Sequence, residues 1–174
     1  YGLRLLEILG FSGGGIGALL LLRAKSYCES CQAYMKGHTM GAVPASVPVR
    51  RIKKKDVDAR AAYETEQTRQ ATAAQATVEQ LGEQAAAGDG AAIRQTLAPF
   101  AGNVKTVRKL PVFLEVEIHH CPRCAVGKLR IRQAERAAGS QVAHTVLATF
   151  PLAPDTVAAC LDADLAAATA TGAG

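Results

Sequence analysis

The spacing of apolar and polar residues changes period several times along this chain, and each change predicts a different element. Leu3 to Leu22 is apolar almost throughout, with Arg4 and Glu7 interrupting it only near its start. A bilayer core takes about 20 such residues as a helix, and charges at the rim reach the headgroups at little cost. Gly10 and Gly14, like Gly13 and Gly17, are four apart, which lines one helical face with small residues suited to close contact in lipid. A transmembrane helix is therefore expected over 1–24. Leu110 to His120 switches to period two: Phe113, Glu115, Glu117 and His119 alternate with Val112, Leu114, Val116 and Ile118. That alternation, rich in β-branched residues, predicts a strand. Lys128 to Gln133 alternates again, Tyr34 to Met40 offers a short matching strand, and Gln141 to Phe150 adds another.

Between these strands the pattern is helical. Asp56 to about Ala87 is polar and Ala-rich, without Pro and with Gly82 as its single glycine. Ala, Gln, Glu and Arg all favour helix. The stripe of Val57, Ala61, Thr68, Ala71, Val78, Leu81 and Ala85 is narrow, so this helix is expected to bury little and to project or pair with another. Gly88-Asp89-Gly90 breaks it. Ala91 to Leu97 predicts a second short helix, with Ile93 and Leu97 on one face and an end near Pro99. A last helix is expected after Phe150, with Asp155 as N-cap behind Pro154. Val157, Cys160, Leu161 and Leu165 form its apolar stripe, ahead of a fraying Ala/Thr/Gly tail.

Composition sharpens this picture. Hydrophobic types reach 49% of the 174 residues, but many are alanine; aromatics are 5% and Trp is absent. So small a core calls for a staple such as a metal or a disulfide. The net charge of +5 is unevenly spread: Arg50, Arg51, Lys53, Lys54 and Lys55 crowd together after the extended Pro44 to Pro48 linker, and nothing after Phe150 is basic. The cluster suits anionic headgroups, nucleic-acid phosphates or plain solvent, and it has no aromatic neighbours in sequence for base stacking. Arg23, Lys25, Lys36 and this cluster follow the charge-free run from Ile8 to Leu22 while Arg4 alone precedes it, which orients the C-terminal side to the cytoplasm. The chain opens at Tyr1 without an initiator Met, as a fragment or a processed product does. Other readings of the apolar segment are a signal peptide, a dinucleotide fingerprint on Gly13, Gly15 and Ala18, and a buried Gly-rich helix. Arg23 to Tyr27 suits cleavage poorly. A cysteine pair stands where the fingerprint needs a second strand and an acidic residue.

The cysteines carry the candidate chemistry. Cys28-Glu29-Ser30-Cys31 and Cys121-Pro122-Arg123-Cys124 are two Cys-x-x-Cys pairs, and Cys160 stands alone as an expected buried small hydrophobe. Two residues between cysteines let both sulfurs of one tight turn face one point. Two such turns give a tetrahedral Cys₄ set for one structural Zn²⁺ per chain, closed to water. The separation of roughly 90 positions is tolerable, because loop-closure entropy grows logarithmically, provided the intervening segment returns its ends to one place. A redox dithiol, disulfides and an iron centre are the alternatives; a redox pair usually begins a helix, whereas Cys121 follows a strand. His119 and His120 are explained as strand positions. Here the chain resembles the zinc-ribbon group, in which two knuckles on β-hairpins clasp one ion, over roughly 25–40 and 110–150. It also looks like uncharacterised bacterial membrane-anchored proteins with a Tyr-Cys-x-x-Cys motif after a spanning helix. The resemblance implies metal and location, carries no activity, and transfers to Cys28, Cys31, Cys121 and Cys124 alone.

The resulting expectation is an α+β chain: an N-terminal transmembrane helix (1–24), a first zinc knuckle (25–44), a basic linker and helical insertion (45–103), a second knuckle and β-sheet (104–150), and a C-terminal helix and tail (151–174). The small antiparallel zinc-ribbon sheet is split by an inserted α-helical hairpin. No catalytic set is present in the sequence: no Ser-His-Asp grouping, HExxH, phosphate loop or paired carboxylates. A non-enzymatic, membrane-anchored scaffold or interaction module is expected, with its soluble part in the cytoplasm, a protein partner or self-association, and no small-molecule substrate. Nucleic-acid binding is the second reading and thiol redox chemistry the third.

Overall fold

Three hairpins and one long crossover account for the strand pairing. The computed structural model describes residues 26–53, 55–136 and 142–161. Tyr27–Cys28 (β1) pairs with Ala33–Tyr34 (β2). Lys36–Pro44 (β3), Val112–His120 (β4), Gly127–Arg136 (β5) and Val142–Leu152 (β6) form a second sheet in that order, antiparallel throughout. The strand expected over Tyr34 to Met40 is split and longer. The Met35 N–H donates to the Ser26 carbonyl at 2.8 Å, closing the small hairpin, and Lys36 then starts a new ladder opposite His120. The transmembrane expectation for 1–24 lies outside the described residues. Among the described residues no helix is long and apolar enough to cross a membrane.

The insertion contains Val57–Ala86 (α1), Gly90–Ala101 (α2) and a single turn, Val104–Val107 (α3); a further helix, α4, covers 154–161. Asp56 and Asp89 cap α1 and α2, accepting from the Ala59 N–H at 3.1 Å and the Ala92 N–H at 2.9 Å. Gly88, at φ +71, makes the turn between them, a conformation glycine adopts without steric cost. Three local expectations need correction. Helix α2 continues through Pro99 to Ala101; a proline this close to the end removes a single backbone bond, to the Gln95 carbonyl, and breaks little of the helix beyond it. Asp155 is not the cap of α4: the Val157 N–H reaches the Ala153 carbonyl at 3.0 Å, so Ala153 caps and Pro154 takes the first helical position, where a missing N–H is harmless. The stripe predicted for α1 holds only in its second half. Ala74, Leu81 and Ala85 are buried with Val78 packed beside them, whereas Val57 is 72% exposed.

The main core lies between one face of the large sheet and the helices. Val43, Leu114, Val116, Ile118, Leu129, Ile131 and Leu152 meet Leu81, Ile93, Leu97, Val157 and Cys160. The Cys160 thiol, fully buried, donates to the Gly90 carbonyl at 3.5 Å, which confirms its packing role. Gly90 itself has no room for a side chain: a Cβ there would sit 2.5 Å from the Thr156 carbonyl oxygen. On the opposite face α3 covers one end, packing Val107 on Ala42, Phe113 and Ala134. Beside that patch the face is ionic. Glu115, only 4% exposed, accepts from Arg108 Nε at 2.9 Å and Arg132 at 3.0 Å. Glu117 also bonds Arg132, and lies 3.1 Å from His119 Nε2.

The insertion leaves and returns at one point. The Ala45 N–H donates to the Val112 carbonyl at 3.3 Å. The buried Ser46 hydroxyl donates to that same carbonyl at 2.8 Å and accepts from the Val112 N–H at 2.9 Å. This clamp meets the geometric condition set by the distant cysteine pairs.

Candidate metal centre

Each knuckle is a turn between paired strands. In the first, Cys28 ends β1 opposite Ala33, and the Gln32 N–H returns to the Glu29 carbonyl at 3.3 Å. In the second, His120 faces Gly127 across the β4–β5 hairpin, the Cys121 N–H donates to the Val126 carbonyl at 2.9 Å, and the Ala125 N–H donates to the Cys121 carbonyl at 3.0 Å. The residue after the second cysteine is left-handed in both: Gln32 at φ 48 and Ala125 at φ 59. These are the only non-glycine residues with positive φ among the described residues. A left-handed residue there turns the chain back after the second sulfur has been aimed inward, a conformation that costs an L-residue with a Cβ about 1–2 kcal/mol.

Register brings the two turns together. Lys36 pairs with His120, so the strand leaving the first knuckle runs beside the strand entering the second. Two arginines reinforce the contact. Arg123 donates to the Cys31 carbonyl at 2.9 Å, and Arg130 donates to the Ser26 hydroxyl at 2.6 Å. The outcome is a single group of four sulfurs, Cys28, Cys31, Cys121 and Cys124, all within 4.8 Å of one another. Cys28 and Cys124, one from each turn, stand 3.7 Å apart. Four sulfurs at about 2.3 Å from a tetrahedral ion would have edges of about 3.8 Å, so the group fits a metal of that size. The cysteines are free thiols. Cys28 and Cys121 are buried, Cys31 and Cys124 half-buried.

The electrostatics of the four sulfurs are strongly divided. The backbone amides of Cys124 and Arg123 point at the Cys121 sulfur, the latter at 3.4 Å, and lower its pKa to about 6. The adjacent Cys124 thiol, with burial, pushes Cys31 up to about 12. At Cys28 the Cys31 amide pulls downward, but burial and the Cys121 and Cys124 thiols outweigh it and the pKa rises. Four sulfurs this close resist collective ionisation, and a divalent cation among them supplies the missing counter-charge.

The histidines stand apart from this group. His119 is tied to Glu117, and His120 stacks on His38 with ring centroids 5.2 Å apart. Of the basic cluster, Arg50, Arg51, Lys53 and Lys55 are exposed along the linker, and Lys54 lies outside the described residues. The linker runs against the start of α1, where Arg50 shares a groove with Tyr63 and Glu66. An aromatic ring does therefore neighbour the cluster, supplied by a helix that sequence proximity does not bring there. The sequence does not single out the left-handed residues or the bridging arginines. Position is the one signal for three of them: Gln32 and Ala125 follow, and Arg123 lies within, a Cys-x-x-Cys turn, whereas Arg130 lies out on β5 with no such mark.

No known protein-family model, curated protein or solved structure matches this chain. The metal centre therefore rests on its own geometry, which is consistent with a zinc-ribbon-like module.

Proposed function

We propose that this chain is a membrane-anchored, non-enzymatic interaction module whose knuckles hold one structural Zn²⁺. The observation that carries the metal is the convergence of four cysteine sulfurs, from turns roughly 90 positions apart, within 4.8 Å. Zinc is the ion named because an all-thiolate tetrahedral set is its usual structural site, and four protein ligands leave no position for a reacting water. The anchor is supported by the apolar run from Leu3 to Leu22 and by the Lys/Arg excess that follows it, which assigns the module to the cytoplasmic side. That compartment keeps thiols reduced and available to metal.

Metal analysis of the purified chain, with thiol alkylation in parallel, tests the centre. One zinc per chain and four protected thiols are the expected result, and Cys121→Ser should lose the metal. A chain that carries a disulfide across these cysteines, or none of the metal under reducing conditions, rules the centre out. Membrane fractionation, with and without residues 1–24, tests the anchor. The exposed Arg50, Arg51, Lys53 and Lys55 beside Tyr63 favour one second reading, a nucleic-acid surface. Phosphate contacts make binding steeply salt-dependent, so duplex binding that does not change across a salt series removes it.

A further inference from the structure

The β1–β2 hairpin turns one face to the metal centre and the other outward. Successive residues of a strand point to opposite sides. The Cys28 sulfur faces inward, 3.7 Å from that of Cys124, so Tyr27 and its cross-strand partner Tyr34 point away from the sulfurs. Their rings meet edge to face, with centroids 5.2 Å apart. Such a pair steadies a hairpin, yet it leaves each tyrosine 45% exposed. The charge around the pair is positive. Lys36, exposed, follows Tyr34 by two residues, and the exposed Arg123 reaches the hairpin through its bond to the Cys31 carbonyl. Arg23 and Lys25 precede the hairpin in the chain, and Glu29 is the one acid between 23 and 55.

Two amphipathic rings flanked by cations match a membrane–water interface, where tyrosine sits at headgroup level and Lys or Arg is drawn to anionic lipid. The position of the hairpin in the chain selects that surface. The apolar run ends at Leu22, four steps before Ser26. An extended chain covers at most about 3.6 Å per step, so Ser26 stands no more than about 14 Å from the end of the run. The headgroup layer alone is about 5–8 Å deep. We infer that the outer face of the β1–β2 hairpin, with Tyr27, Tyr34 and Lys36, docks in the anionic headgroup layer and holds the metal centre against the bilayer. The inference rests on the proposed anchor and deepens it by naming the end of the module that meets lipid. It assigns that contact to the hairpin and not to the cluster from Arg50 to Lys55, which follows the far end of β3. Lys36 opens that strand and Pro44 closes it, a rise of about 26 Å.

The chain has no Trp, so a single introduced indole reports on one place. Tyr27→Trp and Tyr34→Trp, each in the full chain, are reconstituted into phosphatidylcholine vesicles with or without phosphatidylserine, with bromine on the acyl chains near the headgroup as quencher. Both should shift their emission to the blue and lose intensity to the brominated lipid, more so with phosphatidylserine, at unchanged circular dichroism. Adding Lys36→Glu to Tyr34→Trp should reduce that loss. Val49→Trp, at a linker position 76% exposed beside Arg50, should show neither effect. Vesicles that retain the chain but leave the indoles at both hairpin positions unquenched overturn the inference while the anchor stands. Quenching at position 49 in their place, or quenching indifferent to phosphatidylserine, overturns it equally. A folded chain that does not enter the vesicles removes the anchor and this inference together.

Discussion

Gln32 and Ala125 show how much a single backbone torsion contributes to the metal centre. Both adopt positive φ directly after the second cysteine of a pair, so each knuckle holds a residue in a conformation that its Cβ resists. Gln32→Gly and Ala125→Gly should each stabilise the protein by about 0.5–1 kcal/mol, the relief of that clash less the greater chain entropy glycine loses on folding. Urea denaturation read by circular dichroism checks this, and no gain at either site would show that the strain is absorbed elsewhere. Glu117 provides the pH dependence. Its hydrogen bond to His119 is the largest influence, ahead of the charges of Arg132, His119 and Arg130, and together they hold its pKa below the ordinary 4.5. A carboxylate lowered in the folded state contributes stability that is complete above its unfolded pKa and is lost as pH falls through the folded value. Stability should therefore fall on acidification below pH 4.5, and Glu117→Gln should flatten that limb of the curve.

At the scale of elements, the insertion separates what sequence reading reaches from what it does not. Strands β4 and β5 are readable because one buried face imposes period two, and the cysteine pairs because their spacing is chemical; β6, exposed along most of its length, carries no such alternation. The stripe on α1 was only half readable. Val57 and Leu81 belong to the same predicted stripe, yet a narrow alanine-rich stripe carries no mark of where the helix overhangs its sheet. The structure places Leu81 at 0% exposure and Val57 at 72%. Leu81→Ala should cost about 3 kcal/mol and Val57→Ala no more than about 0.5 kcal/mol, measured on the same denaturation curves; equal costs would mean the whole of α1 is packed. The sequence marks Gly90 only as a helix breaker. Its other role, letting the start of α2 touch α4, depends on a contact with Thr156 that local sequence does not encode. A Cβ there would approach the Thr156 oxygen to 2.5 Å and Ala159 Cβ to 2.9 Å. Gly90→Ala should thus cost about 2 kcal/mol through overpacking.

For the whole molecule, the apolar core and the four-cysteine cluster are separate in space. None of the four clustered cysteines belongs to the main apolar cluster, and the β1–β2 hairpin meets the rest of the chain chiefly through the sulfurs, Arg123 and Arg130. Removing the metal with a chelator should open this end while the sheet stays folded, as expected where regions differ in local stability. Hydrogen exchange should rise over 26–36 and 121–126 and stay slow over 112–118; uniform loss of protection would show that the ion holds the entire fold. The crossover between the two pairs also sets an order of events during synthesis. At about 5–20 residues per second, Cys28 and Cys31 precede Cys121 by roughly 5–20 s. Through that interval the nascent chain displays an orphan dithiol, exposed to oxidants and to stray copper. On the proposed zinc reading, ion loading waits until the β4–β5 hairpin has left the ribosome, which makes the last-made knuckle the timing step for maturation.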